Sequence, residues 1–319
     1  MIQKADRLKN VTEYYFSKKL REVAALRNAG KPIINIAIGS PDLAPANHVI
    51  EALTSTSKLP TSHQYQSYQG TPEFREAIAS FYQNQFGVGL NATNEILPLM
   101  GSKEGIMHIS MAFLNKGDKV LIPNPGYPTY ASVTNLVEAE AVFYNLNEAT
   151  NWLPNFDELE QEDLSNVKIM WVNYPHMPTG AVASKDDFKK LIAFAKKHQI
   201  LIVNDNPYSF ILNNNPISIL EIEGAKEVAI ELNSLSKTYN MAGWRVGMVV
   251  GNPEIISTIL QVKSNMDSGM FLGIQKGAIA ALNSSNSWFN ELNDIYTQRR
   301  KLVWKIFDAL HCTYDKTIG

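Results

Sequence analysis

The feature that most constrains this chain is a series of short apolar runs without polar alternation, at 119–123, 167–172, 200–203, 228–232 and 246–250. A strand with one wet face alternates apolar and polar residues, whereas a strand buried on both faces does not. Covering both faces takes helices, and the segments between the runs supply them. In 184–198, Phe188, Leu191, Ile192 and Ala195 fall on one helical face, and Ser184 stands where an N-cap belongs. Thr71 and Pro72 open another helix as N-cap and first helical residue. This alternation predicts an α/β fold built on a mainly parallel, doubly wound sheet. Ligands of such sheets bind beyond the carboxyl ends of the strands, so chemistry is sought there first.

The two chain ends read differently. Residues 1–30 predict a helix closed by Gly30, followed by a β-branched stretch at 33–38 and a turn at Gly39-Ser40-Pro41-Asp42. A second long helix is predicted over 288–310. No segment approaches the roughly 18 apolar residues that cross a bilayer, and the N-terminus lacks a signal-peptide core. With 319 residues and a formal net charge of −2, the chain supports a large buried core and carries no excess of basic charge for nucleic acid or a membrane surface. The single cysteine, Cys312, excludes an internal disulfide and fits a reducing, cytoplasmic setting. The six histidines show no metal-ligand spacing, so no metal site is expected.

Several strand-end residues can carry chemistry. Lys237, in Ser234-Leu235-Ser236-Lys237, follows the run 228–232. A partly desolvated lysine has a lowered pKa and a nucleophilic amine, as a Schiff base requires, although a surface-loop lysine reads the same way. Arg245, in Gly243-Trp244-Arg245-Val246-Gly247, is the only arginine between Arg75 and Arg299 and can clamp a phosphate or carboxylate, or make a structural ion pair. Gly101-Ser102-Lys103-Glu104-Gly105 precedes the helical pattern 106–114, where small residues leave backbone N–H groups free for an anion or simply begin an ordinary capped helix. Asp205 closes the run 200–203, with Tyr208 three residues on, and can pair with a protonated ring nitrogen or serve as a turn aspartate. Asn173 ends the run 167–172, and Tyr127 can stack on a flat ligand or pack in a turn. Taken together, these are the parts a pyridoxal-phosphate enzyme needs.

The ordered motifs Gly-Ser-Lys-Glu-Gly at 101–105, Pro-Gly-Tyr-Pro at 125–128, Asn-Tyr-Pro-His-Met-Pro-Thr-Gly at 173–180, Asn-Asp-Asn-Pro-Tyr at 204–208 and Ser-Leu-Ser-Lys-Thr with Trp-Arg-Val-Gly at 234–247 resemble those of the class I/II aminotransferases. These are fold type I pyridoxal-phosphate enzymes related to aspartate aminotransferase, and the wording at 101–105 and 173–180 is similar to the branch with LL-diaminopimelate aminotransferase. The resemblance implies that Lys237 holds pyridoxal 5'-phosphate covalently and shuttles a proton. It implies that Asp205 pairs with the pyridinium nitrogen, that Tyr208 and Asn173 hydrogen-bond the ring hydroxyl, and that Tyr127 stacks on the ring. Gly101, Ser102, Lys103, Ser234, Ser236 and Arg245 would surround the phosphate, joined by Tyr65 reaching across a homodimer interface. Gly39, Tyr127 and Asn173 would meet the substrate, with Tyr14 or Tyr15 nearby. The expected reaction is ping-pong transamination between an L-amino acid, of the aspartate, alanine or diaminopimelate kind, and a 2-oxo acid.

The resemblance further implies an N-terminal arm and part of a small domain at 1–44, a large cofactor-binding domain at 45–286, and the start of an incomplete small domain at 287–319. The family continues beyond that point and there carries the arginine that clamps the substrate α-carboxylate. No arginine follows Arg300, and Arg299 and Arg300 read as structural. The expectation is a fragment of an ordinary aminotransferase, the alternative a naturally short, cofactor-binding chain without efficient turnover. A carbon–sulfur β-lyase or a cyclopropane-forming synthase shares the same cofactor residues. A non-catalytic regulator domain fits poorly, because residues 1–30 are too short for a DNA-binding segment.

Overall fold

The computed structural model describes residues 2–9, 11–35 and 39–316. In chain order the helices and strands are α1 Tyr15–Asn28, α2 Asn47–Ser57, α3 Pro72–Phe86, β1 Ile96–Leu99, α4 Ser102–Phe113, β2 Lys119–Asn124, α5 Pro128–Leu136, β3 Glu140–Asn145, α6 Phe156–Leu159, β4 Val167–Val172, α7 Lys185–His198, β5 Leu201–Asp205, β6 Ala229–Ser234, α8 Leu235–Thr238, β7 Gly247–Gly251, α9 Pro253–Met266, α10 Leu272–Leu282 and α11 Ser287–Ala309.

All seven strands form one sheet in the order β1-β7-β6-β5-β4-β2-β3. Pairing is parallel from β6 through β3, while β7 runs antiparallel to both of its neighbours. The doubly wound α/β expectation therefore holds, with one reversed strand that apolar patterning cannot signal. Side chains of each strand alternate between two cores. Leu97, Val120, Ile122, Trp171, Val203 and Val249 pack with α4, α5 and α9 on one face. Ile96, Leu121, Met170, Val172, Ile202 and Val250 pack with α3, α7 and α10 on the other. Burial on both faces is what removed the polar alternation from the sequence.

The predicted caps form. Thr71 Oγ1 accepts from the Phe74 N–H at 3.3 Å, and Pro72 opens α3. Ser184 and Asp187 make a reciprocal capping box on α7. The helix expected over 1–30 is shorter: a 3₁₀ turn at Asp6–Leu8 precedes α1, and Gly30 follows it with φ +78°. Residues 36–38 of the β-branched stretch, and 317–319, lie outside the described residues. Among the described residues no helix is long and apolar enough to cross a membrane.

Candidate active site

The sheet register places the candidates on one edge. Leu99, Gly247 and Ser234 stand side by side, because β7 enters the sheet antiparallel between β1 and β6. Asp205 is opposite Leu232, and Val172 is opposite Asn204. The carboxyl ends of β1, β2, β4, β5 and β6 and the amino end of β7 therefore share one edge.

A cradle with the chemistry to take an anion stands at the β1 side of that edge. Gly101 is the N-cap of α4 at φ +87°, so the helix start has no side chain over its N–H groups. A Cβ there would lie 2.1 Å from Arg245 Nη2, so the guanidinium rests directly on the helix start. Arg245 is exposed, and its Nη1 donates to the Ala242 carbonyl at 2.9 Å. Gly247 closes the floor, since a Cβ there would come within 2.7 Å of the Ser102 nitrogen. Ser234 caps α8 by accepting from the Ser236 N–H, and its hydroxyl donates to Ser236 Oγ at 2.7 Å. The structure thus brings Gly101, Ser102, Ser234, Ser236 and Arg245 together. The Lys103 ammonium turns instead onto the Tyr14 ring, 4.0 Å from its centroid.

Lys237 lies on the one-turn helix α8, half-buried. Burial, and after it the Arg245 charge, lower its pKa. Its Nζ donates to the Gly39 carbonyl, which brings the turn at 39–42 in front of the amine. Asp205 is 5% exposed. Its Oδ2 accepts from Tyr130 at 2.9 Å, while Oδ1 is buried without a partner. Burial raises Asp205 to about 6, against the Tyr130 hydrogen bond, which lowers it. The Asn173 amide donates to the Asp205 carbonyl and accepts from Met177 N–H at 2.8 Å, which fixes its plane. Tyr208 is half-buried and pushed up to about 12 by burial and the Asp205 charge.

Tyr127 meets Tyr130 edge-on at 5.6 Å, and Tyr130 in turn stacks on Trp171 at 4.8 Å. Burial raises the Tyr127 hydroxyl, and the neighbouring Tyr14 raises it further. Tyr65 is different: it stands 93% exposed beside the Gln66–Gly269 bridge, and no ring contact or hydrogen bond among those resolved joins it to the other candidates. Arg299 forms a two-pronged pair with Asp42 at 2.7 and 3.0 Å, tying α11 to the turn at 39–42.

Sequence reasoning missed Tyr130, although its position three residues after Tyr127 puts both on one helical face. It also missed a group in which the half-buried carboxylates of Glu104 and Asp267 meet the buried His108 and Lys263. The i, i+4 spacing of Glu104 and His108 was the available signal. The ligand atoms of Glu104, His108 and Asp267 lie within 4.8 Å of one another, with the Lys263 ammonium already on Asp267.

These residues fit pyridoxal phosphate. An unpartnered carboxylate oxygen, a lysine with lowered pKa and a glycine-floored helix start under an arginine converge on one sheet edge.

A family profile described as aminotransferase class I and II matches residues 31–317. The chain is 45% identical over 296 residues to an LL-diaminopimelate aminotransferase of Dehalococcoides mccartyi, covering 92% of this chain and 76% of that protein. It is 42% identical over 310 residues to one of Maridesulfovibrio salexigens, covering 96% and 80%. Among solved structures, apo-BacF from Bacillus subtilis matches with a TM-score of 0.92 at 37% identity, over 97% of this chain and 79% of that one. A probable N-succinyldiaminopimelate aminotransferase from Thermus thermophilus matches at 0.87 and 30% identity, over 92% and 80%.

Proposed function

Because the chain belongs to the class I and II aminotransferase family, we propose that it binds pyridoxal 5'-phosphate at this sheet edge and transfers the amino group of a diaminopimelate-like L-amino acid to a 2-oxo acid. The observation that carries the cofactor assignment is the convergence of Lys237, the unpartnered Asp205 Oδ1 and Arg245 over the open start of α4. The diaminopimelate preference, over aspartate or alanine, rests on the names of the similar proteins.

When bound, the cofactor supplies an electron sink for carbanion chemistry at the substrate Cα. Lys237 would be the nucleophile of the site and would carry a proton on Nζ. Its lowered pKa keeps part of the amine neutral for both tasks. Asp205 holds a proton on a ring nitrogen through Oδ1, and Tyr130 fixes the carboxyl plane from the other oxygen. Asn173 retains a second amide hydrogen that would serve the ring hydroxyl, and Tyr208 would be its second partner. Tyr127 covers the ring face. Gly101, Ser102, Lys103 through its backbone, Ser234, Ser236 and Arg245 hold the phosphate, assisted by the α4 dipole. Gly39, Tyr127 and Asn173 bound the substrate space.

The same reading makes the chain a homodimer in which the exposed Tyr65 serves the partner's phosphate. It divides the chain at 1–44, 45–286 and 287–319, with the outer two segments tied by Asp42–Arg299. It also places the protein in the cytoplasm, where the exposed Cys312 stays reduced.

The test is an absorption spectrum of the chain with pyridoxal phosphate. A long-wavelength band that disappears in Lys237→Ala, and that LL-diaminopimelate converts to the amino form of the cofactor, is expected. A folded chain with no Lys237-dependent band defeats the cofactor assignment. A band that responds to aspartate or alanine alone defeats only the substrate. Ammonia and pyruvate released without a 2-oxo acid point to β-elimination instead.

A further inference from the structure

Glu104 occupies the third position of α4, where a carboxylate suits the helix dipole, but within one turn of where an anion would sit. Its charge would oppose a phosphate at the same helix end. The structure gives it two tasks. Oε2 accepts from the Met100 N–H, the backbone group just before Gly101. Oε1 faces His108 Nε2 at 3.1 Å, one helical turn deeper. The His108 ring is buried and also faces Asp267 Oδ2 at 3.5 Å, and the buried Lys263 ammonium pairs with Asp267 Oδ1.

Two consequences follow from this arrangement. The bond to Met100 ties the last turn before Gly101 down to the helix, so the N–H groups of Gly101 and Ser102 keep one orientation under Arg245. Lys263 and His108 meanwhile sit behind the carboxylate. Burial works to raise Glu104, but the neighbouring His108 and Asp267 side chains, and then the Lys263 charge, outweigh it and hold the carboxyl below the usual carboxylate range. The anionic form that binds Met100 most strongly is thus the one the fold selects. Asp267 is also the cap of α9, and two residues on Gly269 pairs with Gln66, next to Tyr65.

We propose that Glu104 is a positioning residue for the cofactor-phosphate turn, held in place by the buried His108 and Lys263 and the half-buried Asp267. It touches neither cofactor nor substrate and acts through the Met100 backbone. The proposal rests on the pyridoxal-phosphate reading above, and the two fail in different ways.

The experiment titrates the full chain with two probes, pyridoxal phosphate and pyridoxal, which share the aldehyde and ring but differ in the phosphate. Glu104→Ala is expected to bind pyridoxal phosphate about ten-fold more weakly and pyridoxal no more than about two-fold more weakly. Glu104→Gln keeps an acceptor for Met100 and is expected to recover pyridoxal phosphate affinity to within about three-fold of the native chain. A Glu104→Ala chain that binds both probes like the native protein, or loses both equally, overturns the proposal. Should Glu104→Ala not fold, Glu104→Asp decides. It keeps the charge but is one methylene too short to reach Met100, so selective loss of pyridoxal phosphate supports the proposal and unchanged binding overturns it. A native chain that binds neither probe at Lys237 overturns the cofactor reading, and the proposal with it.

Discussion

At the residue scale, Asp205 shows most clearly what the site demands. A carboxyl raised from 3.8 to about 6 by burial makes the folded chain most stable when that carboxyl is protonated. Its contribution is complete below pH 3.8 and is lost as pH rises through 6, a difference of about 3 kcal/mol by pH 8. Asp205→Asn should remove this dependence. Urea midpoints of the cofactor-free chain should show the variant gaining on the native protein between pH 4 and pH 8, while its cofactor chemistry collapses. A constant offset across that range would mean that Asp205 does not titrate as its burial requires. Tyr130→Phe should act in the opposite sense, raising Asp205 further by removing the one hydrogen bond that lowers it. The pH profile of the Lys237-dependent absorption band should report that rise. The placement of Asp205, Lys237 and Asn173 together was legible in the sequence because a parallel sheet delivers its strand ends to one edge. Tyr130 was not, because its role depends on a partner 75 residues away.

At the element scale, β7 decides the shape of the phosphate cradle. Its residue Gly247 lies between Gly101 and Asn233, with backbone atoms of both within 2.9 Å of where a Cβ would stand. Backbone cannot swing aside as a flexible side chain can. Gly247→Ala should therefore cost about 1–3 kcal/mol in stability. It should also weaken pyridoxal phosphate more than pyridoxal, as measured by thermal unfolding and titration with the two compounds. The strand itself was legible as an apolar run, but its antiparallel direction was not, since patterning reports burial and not polarity. β1 escaped because it has only four residues, Ile-Leu-Pro-Leu, with a proline among them. β3 escaped because it is an edge strand with an exposed Phe143. Helices with caps were read to within a residue or two, and the N-terminal helix, which lacks a side-chain cap, was overextended.

At the scale of the whole molecule, the placement of Tyr65 carries a prediction about assembly. If that side chain completes the phosphate site of a second copy, each site draws residues from two chains. Tyr65→Ala and Lys237→Ala homodimers should each bind the cofactor poorly, one for want of a phosphate contact and the other of a nucleophile. Mixed after mild dissociation, they should form hybrids in which one site carries both defects and the other carries neither. About one site in four should then bind cofactor with native affinity. No recovery in a mixture shown by mass to contain hybrids would mean that each chain builds its site alone.

The reversed strand has a consequence for how the chain is made. Ile96 emerges from the ribosome early, yet its sheet partner is Val250, and β6 likewise waits for β7 on that side. Until β7 is synthesised, β1 has no place in the sheet and β6 presents an open edge, so closure is a late, long-range event of the kind that slows folding. Arg245 and Gly247 of the proposed phosphate cradle arrive with that same strand, long after Gly101. Completion of that cradle therefore follows sheet closure, and a chain arrested before β7 carries Asp205, Tyr127 and the open start of α4 but lacks the Arg245 guanidinium and the Gly247 floor.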